Sequence, residues 1–267
     1  MTVLQALLLV VAAALGGALN SVAGGGSFLT FPILLFTGVP PIVANATSTV
    51  ALWPGSVASV GAYRAELRHV RHIAFLGGVS LVGGAAGALL LLHTSSSAFE
   101  GLIPYLLGLA TALFAFNKRL TATLRAYRER RAGPAVGTSA AIDGRATPRG
   151  LAGLGAAQLV IATYGGYFGG GIGILMLATL GLMGMDKIHE MNALKTVLAS
   201  SINGVAVVLF VLAGSVYWPQ ALVMLVGAVC GGYVGARYAL RIDQQLLRRL
   251  VVGVGVVLTV YFFIHHA

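Results

Sequence analysis

The chain has 267 residues, of which 58% are apolar and only 9% are charged. A soluble globular domain usually carries about 25% charged residues, so this composition excludes a soluble enzyme or binding domain and indicates a polytopic integral membrane protein. The single cysteine, Cys230, excludes an intrachain disulfide and cannot build a metal site. No histidine stands in a metal-ligand context either, so we expect neither a metal nor a cofactor.

Ten apolar segments follow one another along the chain. They run over 3–23, 27–38, 42–63, 72–92, 98–117, 150–164, 167–184, 188–212, 217–238 and 247–264. Segments 27–38 and 150–164 are too short to cross a bilayer alone, because a span needs about 20 residues. The polar stretch 118–149 divides the chain into a first membrane repeat, 1–117, and a second, 150–267. We interpret this stretch as a basic cytoplasmic linker whose first part can continue as a surface helix.

The basic residues behind the net charge of +10 lie in connections between apolar segments. Three stretches, 64–71, 118–149 and 237–249, hold 15 of the 17 lysines and arginines. Because basic loops of membrane proteins remain in the cytoplasm, we interpret this pattern as a topology signal. A nucleic-acid partner is therefore not expected, although the net charge alone would suit one.

The two halves on either side of the linker resemble each other in sequence. The matches join the triplets 24–26 and 169–171, Asn45 and Asn192, Thr49 and Thr196, and the "GGAAG" and "GGYVG" stretches, at offsets of 145 to 148 residues. The basic loop 64–71 corresponds to the uncharged 213–218, and the uncharged 93–97 corresponds to the basic 237–249. The charge rule therefore places equivalent loops on opposite sides of the membrane. This predicts an all-α protein of two inverted repeats, each a broken or re-entrant hairpin plus three transmembrane helices.

Each half carries three consecutive glycines where an unbroken helix would avoid them. Non-helical backbone at membrane depth is tolerated only inside the protein or along a wet cavity. A helix that restarts after such a break exposes N–H groups and the positive end of its dipole, which together favour an anion. The alternative is close helix packing. We prefer packing for the other paired glycines, namely Gly83, Gly84, Gly87, Gly231, Gly232 and Gly235.

Polar residues accompany both breaks and complete a candidate substrate site. The candidate residues are Gly24, Gly25, Gly26, Ser27, Asn45, Thr49, Gly169, Gly170, Gly171, Asn192, Lys195 and Thr196. A charge inside the membrane costs about 3 kcal/mol and usually marks a pathway or a paired site, which draws attention to Lys195. Lys195 could instead pair with Glu190 or Asp186, or snorkel to the interface. The Ser, Thr and Asn side chains could simply join helices by hydrogen bonds.

At these residues the sequence resembles the sulfite exporter TauE/SafE family of membrane permeases. The first half reads "AGGGSFLTFPILLFTGVPPIVANATSTVA", then "YRAELRHVRH" and "GGAAG". The second reads "GGGIGILMLATLGLMGMDKIHEMNALKTVLASS" and "GGYVGARYALRID". The second half departs from the family pattern at Leu177, where proline is usual, and at Lys195, where Ser or Thr is usual. The resemblance implies a multi-pass protein of the bacterial inner membrane that exports or imports a small anion. Sulfite, a sulfonate or a related organosulfur acid would be the substrate, with proton coupling as one option.

Two other functions remain open at this point. A passive anion channel would use the same features, and accumulation against a gradient would distinguish a transporter from it. An intramembrane enzyme could use Ser27 as a nucleophile, but the sequence offers no membrane-buried histidine to activate it. We therefore do not expect an enzyme. The expected partners are a small anion and membrane lipid; the exact anion, the direction of transport and the oligomeric state are left open.

Overall fold

The computed structural model describes residues 1–22, 24–63, 67, 73–132, 148–182, 185, 188–238 and 244–266. Ten helices and no strand are formed by these residues. The helices are α1 (Val3–Val22), α2 (Ser27–Phe36), α3 (Pro41–Ala62), α4 (Ile73–His93), α5 (Ser96–Ala132), α6 (Pro148–Tyr167), α7 (Ile172–Leu182), α8 (Ile188–Leu212), α9 (Trp218–Tyr238) and α10 (Gln244–His266). The predicted order of apolar segments is confirmed.

Several helices are long and apolar enough to cross a membrane. Among the described residues, four stretches meet both conditions, 3–20 in α1, 73–93 in α4, 96–116 in α5 and 189–212 in α8. Shorter apolar helical stretches lie at 27–36, 172–182, 218–233 and 251–264. The prediction of an all-helical polytopic membrane protein is confirmed.

Two helices extend beyond the apolar segments of the sequence, one of them as expected. Helix α5 continues past 117 to Ala132, so the first part of the predicted linker is helical; residues 133–147 lie outside the described part of the chain. Helix α6 has 20 residues, so the predicted short segment 150–164 was wrong. Its extension includes Gly166, where a Cβ would overlap the carbonyl group of Gly84. Gly166 therefore serves the packing of α6 on α4, and the break itself begins only after Tyr167.

The packing of the helices repeats between the two halves. Helix α1 packs against α9, and its counterpart α6 packs against α4, the counterpart of α9. In the same way α3 packs against α9 while α8 packs against α4, and α5 packs against α10. Each half therefore completes the packing of the other, as expected for repeats that form one transport domain.

The two equivalent helices α3 and α8 run antiparallel in the centre of the protein. Near the middle of both, Trp53 Nε1 donates a hydrogen bond to the carbonyl oxygen of Ser200 at 3.0 Å. Nearer the start of α3, Thr47 Oγ1 accepts a hydrogen bond at 2.9 Å from the backbone N–H of Tyr217, which follows the end of α8. An antiparallel relation of equivalent helices is what an inverted repeat requires. The orientation of each half relative to the membrane stays a prediction.

The paired glycines of α4 and α9 allow close helix packing, as predicted. The Cβ of any residue at position 87 would overlap the carbonyl oxygen of Thr163 in α6. The equivalent overlap for Gly231 is with the carbonyl oxygen of Ala14 in α1. These glycines let the backbones of neighbouring helices touch, which is their usual role in membrane proteins.

Replacement of Gly84 by valine is expected to destabilise the protein through packing alone. A Cβ at Gly84 would lie 3.0 Å from Ile202 Cα and 2.9 Å from Val205 Cγ1, both in α8. Overpacking of this kind typically costs about 1–3 kcal/mol. The matched control is Gly78→Val in the same helix, because a Cβ there meets nothing within 4 Å. The melting temperature in detergent should be lower for Gly84→Val than for Gly78→Val. Equal melting temperatures would contradict a packing role for Gly84.

Candidate functional site

The two glycine triplets form short breaks between helices. The first break joins α1 to α2, and Gly24 and Gly25 have φ angles of +77° and +93°. The second joins α6 to α7, and Gly169 and Gly171 have φ angles of +80° and +78°. Residues with a side chain are strained in this left-handed region by about 1–2 kcal/mol. Glycine is therefore required at these four positions by backbone conformation.

The breaks lie against each other, although they are 145 residues apart in sequence. A Cβ on Gly25 would lie 2.8 Å from the backbone nitrogen of Gly171, and a Cβ on Gly24 would lie 3.0 Å from Gly173 Cα. Real Cβ atoms are almost never so close to a backbone atom, so only glycine permits this approach. The structure thus brings the two triplets together at one place in the protein.

Both restarting helices present backbone N–H groups at this place. The first turns are closed by Phe28 N–H donating to the Gly25 oxygen and by Ile174 N–H donating to the Gly171 oxygen, each at 3.0 Å. Among the described residues, no acceptor faces the N–H groups of Ser27, Ile172 and Gly173. Such groups are the usual donors of an anion site at a helix N-terminus.

A cavity opens beside the breaks and between α3 and α8. Its volume is about 540 Å³, counting its open mouth. Seven of the predicted site residues line it: Gly24, Gly25, Ser27, Thr49, Gly169, Lys195 and Thr196. Helix starts from both halves and side chains from both central helices therefore share one space, as expected for a transporter site at a repeat interface.

Lys195 is the ionisable residue that lines this cavity. Its side chain is 1% exposed. Its Nζ atom is buried and makes no hydrogen bond within the described residues. The alternative of a hydrogen-bonded pair with Glu190 is not what the structure shows, and burial of Nζ excludes snorkelling. The other proposed partner, Asp186, lies outside the described residues.

Thr49 and Thr196 occupy equivalent places on α3 and α8. Thr49 Oγ1 donates to the carbonyl oxygen of Asn45 at 2.9 Å, and Thr196 Oγ1 donates to that of Asn192 at 2.8 Å. Both hydroxyl protons are therefore used inside their own helices. In this conformation the donors available to an anion include the backbone N–H groups, the Ser27 hydroxyl and the Lys195 amine.

The other predicted residues support the site without lining the cavity. Asn45 Nδ2 donates at 2.9 Å to the carbonyl oxygen of Tyr167, the last residue of α6, and so ties α3 to the second break. The carbonyl oxygen of Gly170 accepts a hydrogen bond from the hydroxyl of Tyr164 at 2.7 Å.

The remaining members of that group are Gly26, Gly171 and Asn192. Gly26 has helical backbone angles, and its N–H donates to Asn20 Oδ1 at 2.7 Å. Gly171 faces Gly25. The amide oxygen of Asn192 is buried without a hydrogen bond in the described structure. Gly26 and Gly171 belong to the breaks themselves, and none of these three residues is part of the cavity wall.

Eight residues outside the candidate set also line the cavity, although the sequence had already drawn attention to the backbone of Ile172 and to Asn203. They are Asn20, Leu52, Ser56, Ser59, Ile172, Gly173, Ala199 and Asn203. Helical spacing was the available signal, because residues three or four apart share one face of a helix. Counting in this way from Thr49 leads to Leu52, Ser56 and Ser59, and counting from Lys195 and Thr196 leads to Ala199 and Asn203.

Comparison with known proteins identifies relatives of the whole chain. The profile of the family described as "Sulfite exporter TauE/SafE" matches residues 9–262. A probable membrane transporter protein of Haemophilus influenzae is 28% identical over 246 residues, which cover 90% of this chain and 88% of the relative. The probable membrane transporter protein YfcA of Escherichia coli K12 is 28% identical over 252 residues, covering 92% and 85%. A probable membrane transporter protein of Sinorhizobium sp, ORF9, is 28% identical over 258 residues, covering 94% and 90%. No solved structure matches the chain.

Proposed function

Because the chain belongs to the sulfite exporter TauE/SafE family, we propose that it is a secondary transporter of a small anion that binds at the two glycine breaks. The anion would be sulfite, a sulfonate or a related organosulfur acid. Its site would lie near the membrane midplane, where repeats of secondary transporters commonly meet. Proton coupling is part of the proposal.

The general class of the protein is established by its family. It is a multi-pass transporter of the bacterial inner membrane and not an enzyme, in keeping with its bacterial relatives, which are membrane transporters. A small substrate and a lipid environment follow from that class. What the family leaves open is the charge of the substrate and the place where it binds.

One observation carries the choice of an anion. The cavity joins the N-termini of α2 and α7, whose first N–H groups have no acceptor in the described structure, to a buried amine, Lys195, without a hydrogen-bond partner. Helix N-termini and an ammonium group both favour negative charge. A cationic or apolar substrate would leave all of these donors without partners, at a cost of about 1–3 kcal/mol for each buried group.

The contact between the breaks fits one state of a transporter. The backbones at Gly25 and Gly171 touch, so the space between the triplets is closed in this conformation. A transporter needs such a closed state, because its site must never open to both sides at once. Accumulation of the anion against its own gradient would exclude a passive channel.

The direct test is uptake by purified protein in proteoliposomes. The anions would be sulfite, sulfate, thiosulfate, taurine, sulfoacetate, methanesulfonate and small carboxylates, each with and without a pH gradient. We expect saturable uptake of at least one sulfur oxyanion or sulfonate and competition by its close analogues. Uptake of none of them, or uptake of cations in preference, would contradict the proposal.

The inverted arrangement of the halves has its own expected result. Cysteines introduced at Ser96 and Ser215 should both react with an impermeant thiol reagent added to intact cells, because both lie in uncharged loops that are predicted to face the outside. The exposed native Cys230 would first be replaced by serine. If the cysteine at position 96 reacts in intact cells but the one at position 215 reacts only after the cells are opened, the halves are not inverted.

A further inference from the structure

We propose that Lys195 carries the proton in a one-to-one symport of a proton with a monovalent anion. This inference rests on the proposed function and names the coupling ion, the residue that binds it and the charge class of the substrate. The structural basis is a buried amine that lines the proposed substrate cavity and has no hydrogen-bond partner among the described residues.

Among the described residues around Lys195, we find no second charge that could replace it. No other residue that lines the cavity is an acid or a base. Helices α3, α4, α6 and α7 pack against α8. By sequence, α3 and α7 carry no titratable residue, and α4 carries only His93, its last residue.

The remaining ionisable groups on these helices are engaged or distant. On α6, the Tyr164 hydroxyl donates to the Gly170 oxygen, and the Tyr167 hydroxyl donates to Thr94 Oγ1 at 3.5 Å. Arg149 stands at the opposite end of α6 from the break. On α8 itself, His189 and Glu190 lie in the first turn, and Glu190 does not hydrogen-bond Lys195.

Within the described part of the chain, the substrate is therefore the group left to balance a charge on Lys195. An ammonium group buried without an opposite charge or a hydrogen-bond partner is expensive inside a membrane protein. A monovalent anion in the cavity removes that cost by forming the missing pair. We infer that the amine takes up one proton when the anion binds and releases one proton after the anion leaves.

This cycle balances in charge. A proton and an anion enter together from one side, the site holds a neutral pair of ammonium and anion, and both leave on the other side. The carrier then returns empty with a neutral amine. Each turnover moves one negative and one positive charge in the same direction. Transport of a monovalent anion is therefore electroneutral and does not change the membrane potential.

The position equivalent to Lys195 in the other half offers no second proton site. Ser48 occupies the position equivalent to Lys195 and is fully buried. Its Oγ lies 2.6 Å from Thr30 Oγ1, so its hydrogen bonding is satisfied within the protein. One lysine in one half gives one proton for each anion, and a divalent anion would leave an unbalanced negative charge in the site.

The test uses wild-type protein in proteoliposomes, with methanesulfonate as the probe and sulfate as the divalent comparison. Methanesulfonate keeps one negative charge over the whole pH range of the experiment, so a pH effect cannot arise from the substrate. A more acidic outer solution should raise its initial uptake at least tenfold. An imposed membrane potential should leave the rate unchanged, and an internal pH dye should report about one proton per anion.

Two variants separate coupling from binding. Arginine keeps its charge at all accessible pH values. Lys195→Arg should therefore lose net uptake at least tenfold more than it loses exchange of labelled for unlabelled anion. Lys195→Gln carries no charge at this position. Whatever its residual rate of uptake, that rate should no longer rise when the outer solution is made more acidic.

The possible outcomes distinguish this inference from the function on which it rests. Transport that responds to membrane potential, that favours sulfate over methanesulfonate, or that is still driven by acid in either variant would overturn the coupling role of Lys195 alone. Absence of transport for every anion in the uptake screen would overturn the proposed function, and this inference with it.

Discussion

Replacement of Gly25 by alanine is expected to lower the rate of anion transport roughly 5- to 30-fold while the protein still folds. The backbone at Gly25 has a φ of +93°, which strains any residue with a Cβ by about 1–2 kcal/mol. The added methyl group would also lie 2.8 Å from the backbone nitrogen of Gly171 and 3.1 Å from the ring of Phe114. Strain of this size at the site changes the population of its binding-competent geometry by a factor of about 5–30.

The chain offers a matched control for backbone strain. Gly38 follows the end of α2 with a φ of +85°, and its N–H donates to the Leu35 oxygen at 2.9 Å in a helix-ending turn. A Cβ at Gly38 meets nothing within 4 Å. Gly38→Ala therefore imposes a similar backbone strain away from the breaks and should reduce stability without reducing transport per folded molecule.

The comparison is made on purified protein, with melting temperature and initial uptake rate measured on the same preparations. Similar loss of melting temperature in both variants, with loss of transport only in Gly25→Ala, is the expected result. Equal transport in the two variants would mean that the meeting of the breaks serves only the fold. Gly169→Ala provides a second measurement from the other half, because Gly169 lines the cavity with a φ of +80° and a Cβ there has more room.

Most of the helical elements could be predicted because long apolar runs have few alternatives in a membrane. Backbone groups in lipid must be paired internally, which makes a run such as 188–212 helical whatever its neighbours are. The breaks were visible because three consecutive glycines remove helix propensity and allow left-handed angles. Their approach to each other could be expected because equivalent parts of an internal repeat commonly meet at the substrate site.

The limits of the second break could not be read from local sequence. Residues 165–171 contain five glycines, and nothing in their order distinguishes the helical Gly166 from Gly169 with its positive φ. The difference arises from tertiary packing, because α4 approaches Gly166 so closely that its helix is held in place. Helix packing of this kind depends on residues about 80 positions away in the chain.

The candidate site shows the same division between local and distant causes. Lys195 could be identified because a charge in an apolar helix is rare and expensive. The place of Asn45 outside the cavity could not be predicted, because its amide group is directed to the carbonyl oxygen of Tyr167, 122 residues later in sequence. The sequence also could not predict that the Thr49 and Thr196 hydroxyls bond within their own helices, because threonine on a helix can hydrogen-bond either its own backbone or a ligand.

Lys195→Met is expected to weaken anion binding and to stabilise the empty protein. Methionine preserves the length of the side chain and removes its charge. Loss of a hydrogen bond between a charged donor and the anion costs about 1.5–3 kcal/mol. The apparent KM for the transported anion should therefore rise roughly 10- to 150-fold.

The same substitution should raise the melting temperature of the empty protein. Lys195 is 1% exposed and its Nζ has no hydrogen-bond partner in the described structure, so the amine contributes no pair that methionine would break. Replacing an uncompensated buried polar group by an apolar one of similar shape removes a desolvation cost. A structural lysine would behave in the opposite way, because its removal would break an interaction.

Ser48→Ala supplies the control from the equivalent position in the other half. Ser48 is fully buried but does not line the cavity, and its Oγ lies 2.6 Å from Thr30 Oγ1. Its loss should lower the melting temperature and leave the apparent KM unchanged. A lower melting temperature in Lys195→Met, together with an unchanged apparent KM, would make Lys195 a structural residue. A higher melting temperature together with weaker anion binding would show that the buried amine destabilises the empty fold and is retained because the substrate needs it.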